Sequence, residues 1–390
     1  MNCLQWETCG GCSFKHFKGG DIYERQFAEK CRDFREILCT FLQDVHFTAF
    51  SSPHHSFRAR AEFGIFHKQD KIFYTLRGLE NQPVFIQHCE IVLQPIQDIF
   101  MPLLEYLSLQ KILSQHLFGV NFLATQTEIL ITLLYHKFLK PEWEESAKQL
   151  QVKLQKCCSH LHSIHLIGRS RKQKIALQNE FITQTLQVKL NQQRYDFVYR
   201  LYEGAFSQPN SFMNVKMIEW VAKQISQTIP IQNSDLLELY CGLGNFTFPL
   251  SRYFQKVLAT EVSRVSLKAA IENCHLNHIQ NTTLVRMHAE DLQAALLQKR
   301  IFKRFSDINL QDFHFSTLFV DPPRAGLGNN IATFATTFPY IAYVSCNPRT
   351  MLQDLKILSQ THRIISCAVF DQFPYTHHLE SAIWLQKIKD

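Results

Sequence analysis

Long apolar runs are missing from this sequence. No stretch of its 390 residues approaches the roughly 18 uninterrupted apolar residues that a membrane-spanning helix requires. The first residues, Met1 to Glu7, lack the basic and apolar regions of a secretion signal, and neither internal repeats nor low-complexity linkers occur. With 46% hydrophobic and 19% charged residues, the chain is expected to be a soluble cytoplasmic protein of two or three domains that needs no membrane.

Acidic residues are the minority among the charges. Asp and Glu number 34 against 41 Lys and Arg, which gives a formal net charge of +7 and favours a polyanionic partner. Basic residues cluster at Arg58 and Arg60, at residues 169–174 and at residues 299–304. Each cluster alone is more typical of a solvated surface, but three together favour the polyanionic partner.

The chain divides into three stretches. Residues 1–45 form a short Cys-rich N-terminal segment. Residues 46–200 contain alternating, strand-like segments at 60–66 and 128–134 and helical patterns at 95–109 and 141–155, which predict an α+β middle domain. From residue 201 to 390, apolar strand-like runs alternate with helical patterns, and this predicts an α/β domain with a doubly wound, mostly parallel sheet.

Twelve cysteines in a reducing compartment are more often buried, metal-bound or catalytic than paired in disulfides. Cys3, Cys9 and Cys12 have the spacing C-x5-C-x2-C, and Cys89 supplies a fourth thiol far along the chain. Four thiolates of this kind suit a [4Fe-4S] cluster, with four-cysteine zinc as the alternative. The C-x3-C-x2-C spacing of radical enzymes, which leaves an iron open to the cofactor, is absent. Four cysteine ligands would close the site, so a structural role is expected.

A glycine run marks a candidate cofactor site in the last domain. The strand at residues 235–240 leads into Cys241-Gly242-Leu243-Gly244-Asn245-Phe246, where glycine lets the backbone approach a ligand closely. Glu261 ends the next strand and could accept both hydroxyls of a ribose. The third glycine of a dinucleotide fingerprint is missing, so S-adenosylmethionine fits better than NAD. An ordinary tight turn is the plainer interpretation of two glycines.

Two further strands end in chemically informative residues. The fourth delivers Asp321-Pro322-Pro323-Arg324, and the fifth delivers Cys346 within Ser345-Cys346-Asn347-Pro348. Prolines after an acid fix a rigid turn that suits a flat base. A thiol at the carboxyl end of a buried strand lies where an open α/β sheet places its chemistry, so Cys346 is predicted to be a nucleophile. A buried, inert cysteine is the alternative.

These segments resemble the RNA 5-methyluridine methyltransferases, most closely the members that act on transfer RNA. The matching stretches are residues 206–210, 237–246, 321–324, 345–348 and 370–380, with further likeness at 56–63 and 165–169. The resemblance therefore covers nearly everything after residue 46, and it implies a Rossmann-like, S-adenosylmethionine-dependent catalytic domain. The implied cofactor contacts are Gln208, Tyr240, Asn245, Glu261 and Asp321.

The resemblance also implies the catalytic residues and their chemistry. Carbon 5 of uracil is a poor nucleophile, so the Cys346 thiolate adds to carbon 6 and makes carbon 5 electron-rich. Glu380 is the implied general base that removes the carbon-5 proton before the thiolate leaves. A surface carboxylate is the alternative for Glu380.

The implied substrate is the T-loop uridine of transfer RNA, which must leave its stack to react. Phe118 and His136 are candidates to replace the lost stacking, although core packing is an alternative for Phe118. Phosphate contacts are predicted at Arg58, Arg60, Arg169 and Lys174. A monomer is expected.

Three alternatives remain. The N-terminal cysteine pattern resembles the family members that modify 23S ribosomal RNA, so a ribosomal uridine is the second candidate. In a different class stand a non-catalytic RNA-binding protein and a nucleic-acid amino-methyltransferase, because Asp-Pro-Pro also resembles the loops of enzymes that methylate exocyclic nitrogens. Those enzymes need no thiol nucleophile.

Overall fold

The computed structural model describes residues 3–17, 21–69, 71–229 and 234–388. Its first helix is α1 (Ile22–Ile37), which begins after Asp21, whose carboxylate accepts hydrogen bonds from two backbone N–H groups of the first turn. The helix packs into two hydrophobic cores, since Tyr23 lies in the core of the middle sheet and Phe34 in that of the C-terminal sheet. One strand, β1 (His46–Phe50), follows.

A seven-stranded sheet forms the middle of the molecule. Its strands are β2 (Arg60–Lys68), β3 (Lys71–Arg77), β4 (Pro83–Phe85), β5 (Leu117–Ala124), β6 (Glu128–Tyr135), β7 (Ser163–Ser170) and β8 (Gln173–Ala176), in the order β4-β3-β2-β5-β6-β7-β8. Its helices are α2 (Gln94–Leu109), α3 (Lys111–Ser114) and α4 (Pro141–Cys157). Strands β6 and β7 are parallel and the other neighbouring pairs are antiparallel. The predicted strands at 60–66 and 128–134 and both predicted helices are confirmed.

A long hairpin, β9 (Phe181–Leu190) and β10 (Gln193–Tyr202), connects this sheet to the C-terminal one. The remaining strands are β11 (Asp235–Leu239), β12 (Val257–Glu261), β13 (Thr282–Arg286), β14 (Phe315–Val320), β15 (Tyr340–Ser345), β16 (His362–Phe370) and β17 (Glu380–Lys387). The remaining helices are α5 (Ser211–Thr228), α6 (Thr247–Ser251), α7 (Arg264–Leu276), α8 (Ala289–Leu296), α9 (Gly328–Ala335) and α10 (Pro348–Leu358). Two 3₁₀ turns lie at Lys303–Phe305 and Leu310–Asp312.

The C-terminal sheet has eight strands in the order β1-β16-β17-β15-β14-β11-β12-β13. The predicted α/β fold with a mostly parallel sheet is confirmed: β17 is antiparallel to both of its neighbours, β15 and β16, and the other neighbouring pairs are parallel. Strand β1, from the start of the predicted middle domain, pairs with β16 in this sheet. The strand order reverses between β11 and β14, and the crevice beyond the carboxyl ends at such a point is where open α/β sheets bind ligands.

No helix in the described ranges combines the length and the apolar character needed to cross a bilayer.

Candidate active site

A cavity of about 980 Å³ opens beyond the carboxyl ends of β11, β12, β14 and β15. It is lined by every residue that the sequence pointed to for cofactor binding and catalysis: Gln208, Tyr240, Asn245, Glu261, Asp321, Cys346 and Glu380. Residues up to 172 positions apart thus meet in one place. Most of them end or follow a parallel strand at this edge of the sheet, Gln208 precedes α5, and Glu380 begins the antiparallel strand β17. The cavity is large enough for a nucleoside-sized ligand beside a second reactant.

The glycine run forms a strained turn at one end of this cavity. Tyr240, Gly242 and Gly244 all have positive φ angles, of 62°, 57° and 88°. A side chain at Gly244 would overlap the Phe248 ring, so only glycine fits there. The turn is tied to β12, because the Gly242 N–H donates to Glu261 Oε2 over 3.0 Å.

Glu261 is held in place by backbone donors. Its Oε1 accepts from the N–H groups of Val262 and Ser263, at 2.8 and 2.7 Å. With Gly242 on the other oxygen, the carboxylate has a fixed orientation in the cavity wall. Oε1 accepts two hydrogen bonds and Oε2 one, so Oε2 retains a lone pair with which it can accept from a ligand hydroxyl.

Two amide side chains of the cavity are held by other side chains. Asn245 exchanges hydrogen bonds with Asn214 of α5, at 2.7 and 2.8 Å, and its carbonyl accepts from the Tyr199 hydroxyl over 3.0 Å. Gln208 Oε1 accepts from Gln372 Nε2 over 2.7 Å. The cavity wall is therefore preorganised by contacts from α5, β10 and the segment after β16.

Cys346 and Glu380 are brought together by strand pairing. Ser345 of β15 pairs with Ser381 of β17 in an antiparallel register, so Cys346, after Ser345, lies beside Glu380, before Ser381. Glu380 is 5% exposed, which makes the surface interpretation of this carboxylate wrong. Cys346 is half-buried and lines two cavities, which argues against a packed, inert thiol.

Burial dominates the electrostatics of this corner. Burial, followed by the charges of Glu380 and Asp321, raises the pKa of the Cys346 thiol to about 11, while the Arg324 charge acts in the opposite direction. Burial also raises the pKa of Asp321 and of Glu380, and the Asp321 charge adds to the effect on Glu380. The Arg324 charge lowers the pKa of Glu380, so Arg324 is the cation that favours ionisation here.

Two further residues of the cavity were missed from the sequence. His378 lies against Arg324, with its Nε2 3.0 Å from Arg324 Nη2, and burial followed by the Arg324 charge lowers its pKa, which favours the neutral ring as an acceptor. Glu238 of β11 is 1% exposed, and its Oε2 has no hydrogen-bond partner within the described residues. Burial raises the pKa of Glu238 to about 8. An acid inside the apolar run of residues 236–239 was the available signal.

The four N-terminal thiols converge as well. Cys3, Cys9, Cys12 and Cys89 line one cavity of about 130 Å³, between the N-terminal segment and the middle sheet. The segment is fastened there by the Gly10 N–H, which donates to the Arg77 carbonyl over 2.9 Å. A set of four thiols fits a thiophilic metal group, but within the described ranges no three His, Cys, Asp or Glu side chains are arranged closely enough to hold an ion. The predicted metal centre is therefore not shown.

The residues predicted to bind RNA differ in what surrounds them. Phe118 is 40% exposed and stacks on the exposed His136 ring, with centroids 4.0 Å apart and planes 16° apart, so core packing is the wrong interpretation of Phe118. The predicted cations have protein partners: Arg58 donates to the Arg60 carbonyl, Arg60 to the Ala205 carbonyl, and Arg169 and Lys174 both pair with Glu203.

Comparisons with known proteins agree on one family. The model of the tRNA (uracil-5-)-methyltransferase family matches residues 22–388. A tRNA/tmRNA (uracil-C(5))-methyltransferase of Sulfurovum sp. is 42% identical over 99% of this chain and 100% of its own length, and that of Wolinella succinogenes is 44% identical over the same shares. Among solved structures, a Pyrococcus abyssi tRNA (uracil-54, C5)-methyltransferase bound to S-adenosyl-L-homocysteine shares the fold, with a TM-score of 0.67 at 20% identity, covering 97% of this chain and 86% of its own.

Proposed function

Because this chain belongs to the tRNA (uracil-5-)-methyltransferase family, we propose that it transfers a methyl group from S-adenosylmethionine to carbon 5 of the T-loop uridine of transfer RNA. The observation that carries the proposal is the single cavity in which a glycine turn and Glu261 lie at one end and Cys346 and Glu380 at the other. An amino-methyltransferase has no use for the thiol beside a buried carboxylate, and a non-catalytic RNA-binding protein has no use for the cavity.

The cavity fits S-adenosylmethionine, which supplies the methyl group when bound. Glu261 would accept from the ribose hydroxyls, since its carboxylate is already oriented by three backbone N–H groups. Gln208, Tyr240, Asn245 and Asp321 would complete the contacts. Because Glu261, Asn245 and Gln208 are held by hydrogen bonds within the protein, these three need little ordering when the ligand enters.

In the proposed reaction the Cys346 thiolate forms a bond to carbon 6 of uracil, and the electrons of the 5,6 double bond move toward the carbon-4 oxygen. Carbon 5 of this enolate then takes the methyl group. Glu380 removes the carbon-5 proton, the double bond re-forms, and the bond between sulfur and carbon 6 breaks. The thiolate is regenerated, and the enzyme returns to its starting state once Glu380 releases the proton to solvent and the demethylated donor, S-adenosylhomocysteine, leaves.

The base has a route to the thiol that does not pass through the cofactor. A second cavity of about 370 Å³ reaches Cys346 from another side and shares Arg324 and His378 with the first. Phe14, Arg349 and His377 also line it, so its walls combine cations with rings. Such surfaces suit an unstacked base and its phosphates. Farther off, the exposed Phe118–His136 stack could take a neighbouring base.

The test is to map 5-methyluridine by mass spectrometry in transfer RNA, tmRNA and ribosomal RNA from cells that lack this protein. We expect 5-methyluridine to be lost from the T loop, at the position that corresponds to uracil-54, for which the Pyrococcus abyssi enzyme is named. It should return when the protein is restored. Loss from 23S ribosomal RNA alone would favour the ribosomal alternative. Unchanged 5-methyluridine in all three RNAs would refute carbon-5 methylation.

For the N-terminal thiols we propose a structural metal group, with a [4Fe-4S] cluster preferred over zinc. Support comes from the four cysteines that line one cavity, three from the N-terminal segment and one from the middle domain. Cys3, Cys9, Cys12 and Cys89 would hold the group, and its role would be to fasten the segment to the middle sheet.

Metal analysis of protein purified without oxygen tests this proposal. We expect about four iron and four sulfide per chain and their loss in Cys12→Ser, but not in Cys157→Ser, which alters an exposed cysteine of α4. One zinc per chain would show that the site binds zinc instead of an iron-sulfur cluster. Protein that contains neither metal would exclude both.

A further inference from the structure

We propose that Lys30 of α1 is a positioning residue for the general base, acting through the loop that carries it. This loop, residues 371–379, connects β16 to Glu380 at the start of β17. The inference rests on the proposed role of Glu380 and adds a residue that lies 350 positions away in the sequence. Lys30 does not line the cofactor cavity, but it does line the second cavity, behind the loop.

The loop begins at a buried carboxylate that α1 grips on both oxygens. Asp371 is 0% exposed, its Oδ1 accepts from Lys30 Nζ over 2.6 Å, and its Oδ2 accepts from Gln26 Nε2 over 2.8 Å. Lys30 also donates to the Phe373 carbonyl over 2.9 Å. Gln26 and Lys30 are four residues apart, so they lie on one face of the helix and both reach the loop.

A buried ion pair is a costly way to attach a helix. The free energy needed to remove both charges from water offsets most of the attraction between them. A pair of apolar residues of similar size often stabilises a fold as well or better. What the pair adds is direction: Lys30 is fixed by two acceptors and Asp371 by two donors, so the loop has one geometry at its first and third residues.

The rest of the loop is attached to the N-terminal segment and to the cofactor side. The Tyr375 carbonyl accepts from the Ser13 N–H over 2.7 Å, and its buried ring meets the edge of Trp6 at 5.9 Å. Gln372 donates to the predicted cofactor contact Gln208 over 2.7 Å. The loop then presents His378 to Arg324 and ends at Glu380. The contacts that hold Asp371 therefore help to fix the position of Glu380, the proposed general base.

A displaced base has a particular kinetic consequence. Methyl transfer needs the thiol and the donor, whereas resolution of the covalent complex needs Glu380, so poor placement of Glu380 should slow the second step selectively. Small displacements of a catalytic group can reduce a rate by roughly tenfold to a hundredfold. A residue that only supported the fold would lower stability and every step together.

The experiment follows the covalent complex formed by the full-length protein with a T-arm RNA and S-adenosylmethionine. Asp371→Asn keeps the shape but weakens the charge-assisted grip, and the double variant Lys30→Met/Asp371→Leu removes both buried charges without stranding either. In both we expect resolution of the complex to slow by roughly tenfold or more, with the KM for S-adenosylmethionine within about twofold and with the double variant melting near the wild-type Tm.

Lys148→Met is the matched control, because Lys148 pairs with Glu144 over 3.0 Å on the exposed face of α4. It should resolve the complex at the wild-type rate. If the folded Asp371→Asn variant or the folded double variant also resolves the complex at the wild-type rate, the proposal for Lys30 is overturned. If Glu380→Gln fails to accumulate a covalent complex, the proposed role of Glu380 is wrong. This variant leaves Lys30 and Asp371 unchanged, so its result tests Glu380 separately from the proposal for Lys30.

Discussion

Replacement of Cys346 by alanine is expected to abolish methyl transfer to RNA. Loss of a catalytic nucleophile reduces a rate by roughly 10⁴-fold or more, and nothing else in the described cavity wall replaces it: Cys241, the other thiol of the cavity, is buried beside Gly242, in the glycine turn at the cofactor end. The measurement is transfer of a labelled methyl group to a T-arm RNA at saturating concentrations of both reactants.

Binding should survive this change, because Cys346 lies at the meeting point of two cavities rather than in the glycine turn. S-adenosylmethionine affinity, measured by calorimetry, is expected to stay within about threefold of the wild-type value. Cys157→Ala, which removes an exposed thiol from α4, is the matched control and should retain full activity. Methyl transfer by Cys346→Ala at even a tenth of the wild-type rate would exclude covalent catalysis by this thiol.

Replacement of Glu380 by glutamine should have a different effect. The thiol can still add and carbon 5 can still take the methyl group, but the carbon-5 proton has no acceptor. We expect one methyl group per enzyme in a rapid phase, followed by turnover slowed by about 10²-fold to 10⁴-fold. A covalent protein–RNA complex should accumulate, and denaturing gel electrophoresis would detect it.

Charge removal alone should not produce this result. Glu144→Gln neutralises an exposed carboxylate on α4 and should leave turnover and complex resolution unchanged. Because burial raises the pKa of Glu380, its carboxylate form becomes more abundant as the pH rises, so resolution by the wild type should accelerate toward alkaline pH. Steady turnover by Glu380→Gln at the wild-type rate would show that another group removes the proton.

Most of the active-site cavity was predictable because its residues are placed by short local patterns. A strand followed by a glycine turn, or by Asp-Pro-Pro-Arg, fixes where the next side chains emerge, and parallel strands bring those positions to one edge of the sheet. Glu261 ends β12, and Asp321 and Cys346 follow β14 and β15 in this way. Their convergence needed only the correct fold class.

Features that depend on long-range pairing were not predictable. The insertion of antiparallel β17 between β15 and β16, which sets Glu380 beside Cys346, depends on register across the sheet. The contact between Lys30 and Asp371 spans 341 positions and leaves no local signal. The partners of Arg58 and Arg60 are backbone carbonyls, which no sequence pattern reveals.

Formation of a covalent bond between Cys346 and a uracil ring is the central claim, and 5-fluorouridine tests it most directly. Fluorine at carbon 5 cannot be removed as a proton, so a T-arm RNA that carries it at the target position should trap the complex after methyl transfer. Mass spectrometry of the digested complex is predicted to find the nucleotide on the peptide that contains Cys346. A complex attached elsewhere, or no complex under conditions in which ordinary RNA is methylated, would contradict the mechanism.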